Sequence, residues 1–354
     1  VAAGRHFAPR ASAYRRPPPG NPPAQAPDLS TLGQSAAWLE AERANLHAAA
    51  DDAATRGHSR HAVAIPAAIG GFLAARGHWD QSAALHQSAL AAARQAGDRV
   101  GEADALSTLG VLQRENGSYP AAAASLARAL ALYRDIGDHR GQSDALNEQG
   151  FLRVLTGDYR AATASHQQAL LLARGIGDRR AEAHSVSNLG LVQQVTGDHP
   201  AAAGSQQQAL ALFDDLGGLP DQAYALNSLG VVQEETGDYP AAASQQQALA
   251  LFGDLGHRTG QAEALTRLGE LSLRTSATAQ ARDQHNRALA IARDISAAPE
   301  EARALEGIGN SHLQEGNPSQ AIASLRQALT IYQRIGAPGA ERVQETMCRA
   351  ARDW

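Results

Sequence analysis

The sequence predicts an all-α fold: a right-handed superhelix of about seven helical hairpins, with a capping helix at each end. Three observations carry this. A short turn returns at a fixed distance, as GSYP from Gly117, GDYR from Gly157, GDHP from Gly197 and GDYP from Gly237. A second glycine stands at Gly70, Gly110, Gly150, Gly190, Gly230, Gly269 and Gly309, spaced by 40 residues except for one step of 39. Finally, 44% of the chain is hydrophobic but only 4% is aromatic, and much of the remainder is alanine. Small side chains at that density suit close-packed helices better than a sheet. A fixed period of this length marks a solenoid whose units bury their apolar faces on one another.

The first 34 residues hold seven prolines and four arginines and read as a disordered linker. Residues 35–58 follow as an N-terminal capping helix, AAWLEAERANLHAAADDAATRG, with Trp38, Leu39 and Leu46 facing inward. Residues 59–337 hold the seven repeats. Within one repeat, Leu226, Leu229 and Gly230 share a helical face, and Ala248 and Leu249 close the apolar stripe of a second helix. The turn between them has a mechanism: Gly237 adopts the left-handed conformation, Asp238 caps the second helix and Pro240 fits its first turn. The IGD turns at Ile136 and Ile176 use the same logic to join one pair to the next.

Glycine inside a helix is unfavourable unless close approach repays it. Gly110 and Gly230 are therefore expected to let the partner helix in, opposite the small residues Ala122 and Ala242. The 39-residue step would rotate everything after it by about 100° if the deletion fell in mid-helix. In PAAASQQQAL, Ala241 takes the place of Ala242 and moves the deletion into the turn. At RTSATAQ, Ser276 stands in for the turn glycine, and the superhelix is expected to be least regular from Thr275 to Gln280. Residues 338–354 form the C-terminal capping helix, with Val343, Met347, Ala350 and Trp354 along one stripe.

A Leu-x-x-Leu-Gly helix with alanines twelve and nineteen residues after the glycine resembles the tetratricopeptide repeat. Leu106, Leu109, Gly110, Ala122 and Ala129 match in one unit, and Leu305, Gly309, Ala321 and Ala328 in the last. The large aromatic of the second helix is replaced by His86, Leu126, His166, Gln206, Gln245, His285 or Leu325, and the closing proline is missing. The longer period resembles that of the Leu-Gly-Asn repeat scaffolds and of actinobacterial regulators. The passage from the proline-rich stretch into WLEAERANLHAA is similar to the entry into the tetratricopeptide sensor of STAND regulators of the NB-ARC kind. That likeness implies a detached sensor, or a chain whose true start lies upstream of Val1.

The composition excludes several chemistries. All 31 basic residues are arginine, so no lysine serves a phosphate loop or a Schiff base. No nucleophile elbow appears. His58 and His61 lack a third ligand, and His86, His166 and His285 recur at one repeat position, where they read as half-buried structural groups. Cys348 is a passive thiol. Neither enzyme activity, nor a cofactor, nor a metal is expected. A net charge of −5 argues against direct nucleic-acid contact. The longest apolar run, Ala62 to Ala75, is too short for a membrane span. A soluble, cytoplasmic protein is expected.

The remaining function is binding. In tetratricopeptide arrays the first helix of each pair lines a concave groove, and the resemblance assigns positions to it. The residue after each marker glycine is Val111, Phe151, Leu191 or Val231; three before it stand Asn147 and Asn227, among others, and six before it Asp144, His184 and Tyr224. These nine form an apolar floor with polar rungs, and Tyr224 is the preferred anchor. No arginine lies between Arg180 and Arg258, so a partner at these acidic repeats is expected to be neutral or basic. The leading reading is a non-catalytic scaffold holding a protein or peptide. The rival is a ligand sensor that restrains a nucleotide-binding regulator module.

Overall fold

The computed structural model describes residues 27, 29, 32–76, 78–217, 219–235 and 241–353. Most of the expected linker, the turn with Gly237, Asp238 and Pro240, the side chains of Ala241 and Ala242, and Trp354 lie outside what it describes. Among the described residues there are sixteen α-helices and no strand. They are α1 (Leu32–Thr55), α2 (Ser59–Ala75), α3 (Trp79–Gln95), α4 (Arg99–Glu115), α5 (Tyr119–Asp135), α6 (His139–Leu155), α7 (Tyr159–Gly175) and α8 (Arg179–Val195). The second half comprises α9 (His199–Leu216), α10 (Leu219–Glu235), α11 (Ala241–Asp254), α12 (Arg258–Arg274), α13 (Thr278–Asp294), α14 (Ala298–Gln314), α15 (Pro318–Ile335) and α16 (Gly339–Asp353).

Turn chemistry sets where the helices stop. At Gly137 the backbone reaches φ 73°, a region closed to most side chains, and the Asp138 N–H bonds back to the Tyr133 carbonyl at 2.9 Å. The Asp138 carboxylate then accepts from the Gly141 N–H at 2.9 Å, capping α6. Asp98, Asp158, Asp178 and Asp198 do the same for α4, α7, α8 and α9. Ser276 does replace the turn glycine, at φ 61°, and Ser296 repeats the substitution at φ 54°. The expected irregularity from Thr275 to Gln280 is absent: α12 and α13 each span 17 residues and a three-residue turn joins them. A serine tolerating the left-handed conformation preserves the geometry that glycine provides elsewhere.

The marker glycines make room for a large residue rather than a small one. A Cβ on Gly110 would lie 2.6 Å from Leu126, on Gly190 2.7 Å from Gln206, on Gly269 2.5 Å from His285 and on Gly309 2.6 Å from Leu325. The Ala122 contact reduces to its carbonyl oxygen, 3.4 Å away. The glycine of the first helix and the side chain sixteen residues later thus form one lock, occupied by leucine, histidine or glutamine. His86, His166 and His285 are fully buried here, not half-buried, with at most 2% exposed. Gln245 is fully buried fifteen residues after Gly230, where Gln206 sits sixteen after Gly190. The deletion is therefore absorbed before Gln245.

Helices pair as neighbours in sequence, and α1 packs on the first pair through Leu39 and Ala50 against Ile69, Phe72 and Leu73. Across pairs, the first helices α2, α4, α6, α8, α10, α12 and α14 pack on one another while the second helices splay apart. The stack therefore bends with its first helices inside.

The bend is tight enough for the superhelix to meet itself. Tyr119, at the start of α5, shares a buried cluster with Ala298, Tyr332 and Ile335 from α14 and α15. The neighbouring turn glycine, Gly117, has φ 82°, and a Cβ there would come within 2.5 Å of Ile335. One hairpin further toward the N-terminus, the Arg76 guanidinium after α2 sits 3.4 Å from where a Cβ on Gly256 would project.

Candidate functional site

Closure turns the concave groove into a cavity of about 280 Å³. Its walls come from α4, α6, α8, α10, α12 and α14, and the start of α5, the end of α15 and the start of α16 complete it. Of the nine residues expected in the groove, Phe151, Leu191, Tyr224, Asn227 and Val231 line this cavity. Tyr224 is half-buried and stands edge-on to Phe252 and His257, with centroids 4.8 and 5.6 Å away.

The other four do not line it. The Asn147 amide is committed to the scaffold: it donates to Ser185 Oγ at 2.9 Å, and its oxygen lies 3.1 Å from His166 Nδ1. His184 packs on Phe213 with centroids 5.0 Å apart and places Nε2 3.5 Å from Asp221. Val111 and Asp144 are half-buried away from the cavity lining.

Much of the wall is charged. The Arg114 guanidinium, only 5% exposed, lies 2.6 Å from Glu115 and 3.3 Å from Glu148, and 4.7 Å from the centre of the Phe151 ring. Burial alone would make it easier to deprotonate, but Glu115 and Glu148 hold its pKa above the ordinary arginine value. Arg267 pairs with Glu270 at 3.1 Å, and Arg303 with Glu300. Burial pushes the Glu300 carboxyl up, and the nearby Glu263 and Glu115 add to that effect against the pull of Arg303. Tyr332 donates to Glu306 at 2.9 Å, and Arg342 grips both oxygens of Glu306 at 2.7 and 2.8 Å. Burial pushes the Tyr119 phenol up to about 12.

Several buried polar atoms on this wall have no protein partner: Asn227 Oδ1, Thr259 Oγ1, Glu300 Oε2 and Arg114 Nε. In a low-dielectric interior such groups are costly unless something else satisfies them.

The charged wall was partly accessible to sequence reasoning. Extending the register position of Tyr224, six before the marker glycine, by one and two repeats reaches Glu263 and Arg303, and both line the cavity. Tyr119, Tyr332 and Arg342 carry no such signal. They arrive by contact across a superhelical turn, which the 40-residue period does not encode.

No group of three or more His, Cys, Asp or Glu side chains among the described residues is arranged to hold a metal ion. His58 and His61 stand edge to face with centroids 6.5 Å apart, and Cys348 is exposed. No described helix is long and apolar enough to cross a membrane.

Stacked antiparallel helix pairs, most of them built from 17-residue helices, around a concave site define a helical-repeat protein. The chain belongs to the tetratricopeptide repeat family, whose models match residues 62–135, 187–256 and 260–334, more than half its length. Among solved structures it is similar to a Rap protein complexed with competence and sporulation factor, at 14% identity and a TM-score of 0.65, covering 78% of this chain and 76% of that one. The Rap conjugation gene regulator of plasmid pLS20, in complex with the Phr* peptide, matches at 14% identity, 0.65, and 78% and 75% coverage. A STAND protein with a tetratricopeptide repeat sensor from Pyrococcus horikoshii matches at 13% identity and 0.53, covering 90% of this chain and 48% of that one. At these identities the likeness is one of fold. No match is found among curated proteins.

Proposed function

We propose that this protein is a non-catalytic scaffold that captures a partner protein or peptide on its concave face. One observation carries the reading: the superhelix forms a partly open cavity whose wall combines the apolar side chains Phe151, Leu191 and Val231 with polar atoms that have no protein partner. Apolar surface with a few convergent polar groups is what a ligand site requires. Two fold relatives were solved with a bound factor or peptide, which supports the reading by analogy of architecture.

The test is a random peptide display screen against the full chain, followed by calorimetric titration of the recovered sequences. Replacing Phe151 and Tyr224 together by alanine should weaken their binding about ten-fold or more, with helicity by circular dichroism unchanged. Failure to recover any binding sequence, or undiminished affinity in the double variant, would overturn the reading.

A second reading, a ligand-sensing domain of a STAND regulator, draws on α1. Its segment from Trp38 to Ala50, which carries the sensor resemblance, is seated on the first repeat through a shared apolar cluster. An in-frame nucleotide-binding module in the genomic DNA upstream of Val1 would favour it. A ribosome-binding site there would count against it.

A further inference from the structure

Two departures from the repeat pattern fall in one groove. In three repeats the arginine near the end of the second helix pairs with a glutamate eight residues on: Arg94 with Glu102 at 2.8 Å, Arg174 with Glu182 at 2.8 Å and Arg293 with Glu301 at 2.9 Å. Arg134 holds the same position, but Gln142 stands where the glutamate belongs and donates to the Tyr133 carbonyl instead. Three residues after the marker glycine, other repeats carry Gln113, Gln193 and Gln233, which accept from a serine of the second helix at 2.8, 2.8 and 3.1 Å. Helix α6 has Arg153 there, and it donates to Ser165 Oγ and, at 3.2 Å, to the Ala161 carbonyl. One change removes a negative charge and the other adds a positive one.

Both arginines line a groove of about 330 Å³ on the outer face, between α5 and α7, with α6 as its floor. Gln149 and Gln168 join them, Leu130 and Leu146 supply apolar surface, and no carboxylate lines it. Among the described residues neither Arg134 nor Arg153 forms an ion pair, and Arg134, Gln149 and Gln168 form no hydrogen bond through their side chains. None of these residues lines the concave cavity. The groove therefore gathers two positive charges and unpaired amide donors without a carboxylate to balance them. A recess lined by one sign of charge concentrates ions of the other.

We propose that this groove binds a phosphate monoester, with Arg134 and Arg153 as its charge partners and Gln149 and Gln168 as amide donors. A carboxylate brings a single charge and would leave the second guanidinium unmatched. A phosphate monoester carries about −1.5 to −2 at neutral pH and three acceptor oxygens, which answers both. Planar guanidinium forks grip such oxygens two at a time. The bond to Ser165 holds Arg153 in place before a ligand arrives. The volume exceeds that of a bare phosphate and leaves room over Leu130 and Leu146 for the chain that carries it. This site stands apart from the concave face and does not depend on what that face captures.

The experiment titrates the full chain by calorimetry with two capped peptides, Ala-phosphoserine-Ala and Ala-Glu-Ala, and with inorganic phosphate. The phosphoserine peptide should bind at least about ten-fold more tightly than the glutamate peptide, and salt should weaken it. Its affinity should also fall as pH drops through about 6, where the phosphate loses its second charge. Arg153→Gln restores the residue found at Gln113 and Gln193, so it should fold normally and bind the phosphoserine peptide about ten-fold more weakly. Gln142→Glu should return the missing ion pair to Arg134 and weaken binding by a similar factor, although both arginines remain. Thermal midpoints record the folding of both variants. Equal binding of the two peptides would overturn the phosphate assignment, and no binding by any probe in the millimolar range would overturn the site. Undiminished binding in either variant would overturn it too, since the anion would then rest on guanidinium groups elsewhere. Inorganic phosphate bound as tightly as the phosphoserine peptide would overturn the monoester in favour of the free ion.

Discussion

Gly117 and Ile335 touch although 218 positions separate them: the turn joining α4 to α5 rests on the end of α15 so closely that a methyl group on Gly117 would fall 2.5 Å from the isoleucine side chain. Gly117→Ala should therefore carry two penalties, left-handed backbone strain of about 1–2 kcal/mol and overpacking of about 1–3 kcal/mol. Gly137→Ala, at a similar φ with open space around it, should show the strain alone. Urea unfolding of the two variants isolates the closing contact. Equal losses would mean that the contact contributes nothing to stability.

The lock between marker glycine and second helix makes a coupling prediction. Gly110→Ala drives a Cβ into Leu126 and should destabilise by about 1–3 kcal/mol. In a Leu126→Ala background the cavity left behind accommodates the new methyl group, so the same change should cost much less. A double-mutant cycle measures the difference. Additive losses would show that the two positions do not share the space.

Stability should fall on mild acidification. Burial lowers the His86 pKa from 6.5 to about 4, and burial lowers that of His285 against the pull of Glu270 and Glu306. A histidine depressed in the folded state leaves stability intact above the unfolded pKa. Below it the unfolded chain binds a proton that the folded chain refuses, so stability is lost as pH drops from 6.5 toward 4. The difference for His86 corresponds to about 3 kcal/mol. His86→Gln, the residue found at the equivalent Gln206 position, should flatten this part of a denaturant-midpoint profile. An unchanged slope would exclude His86 as its source.

Two asparagines at one repeat position should behave differently. Asn147→Ala breaks the bonds to Ser185 and His166 inside the scaffold and should cost about 1–3 kcal/mol. Asn227→Ala removes an oxygen that is already unpaired, so it should be close to neutral for folding while weakening capture of a peptide selected on the wild type. Thermal melts beside calorimetry separate the two. A large loss of stability in the Asn227 variant would place that amide in the scaffold as well.

The repeat was legible because its signals are local: the turn aspartates cap the helices they precede, and Ser276 occupies the glycine conformation. Register also placed Phe151, Leu191 and Val231 together, since residues 40 apart on stacked helices share a face. The same register set Asn147 beside Asn227 without revealing that His166 and Ser185 occupy the former. Pairing depends on which side chains stand on the neighbouring helix, and these vary from repeat to repeat. The marker glycine pointed to its small neighbour Ala122 because alanine recurs there, whereas the space is taken by Leu126, a position whose identity changes along the chain. Least legible was the charged wall. Tyr119 reaches Tyr332 only after the stack has bent through a full coil, and the bend accumulates from many small interhelical angles that no single motif states.

Coils that touch change how such a molecule comes apart. An open stack of repeats frays from either end, each unit depending only on its neighbours. Here Tyr119 near one end and Ile335 near the other bury each other, and Arg76 leans on the turn at Gly256. Fraying at the C-terminus would strip cover from the second hairpin, so the array should melt more like a globule than like a ladder, and removing its last hairpin should weaken the first half of the chain as well.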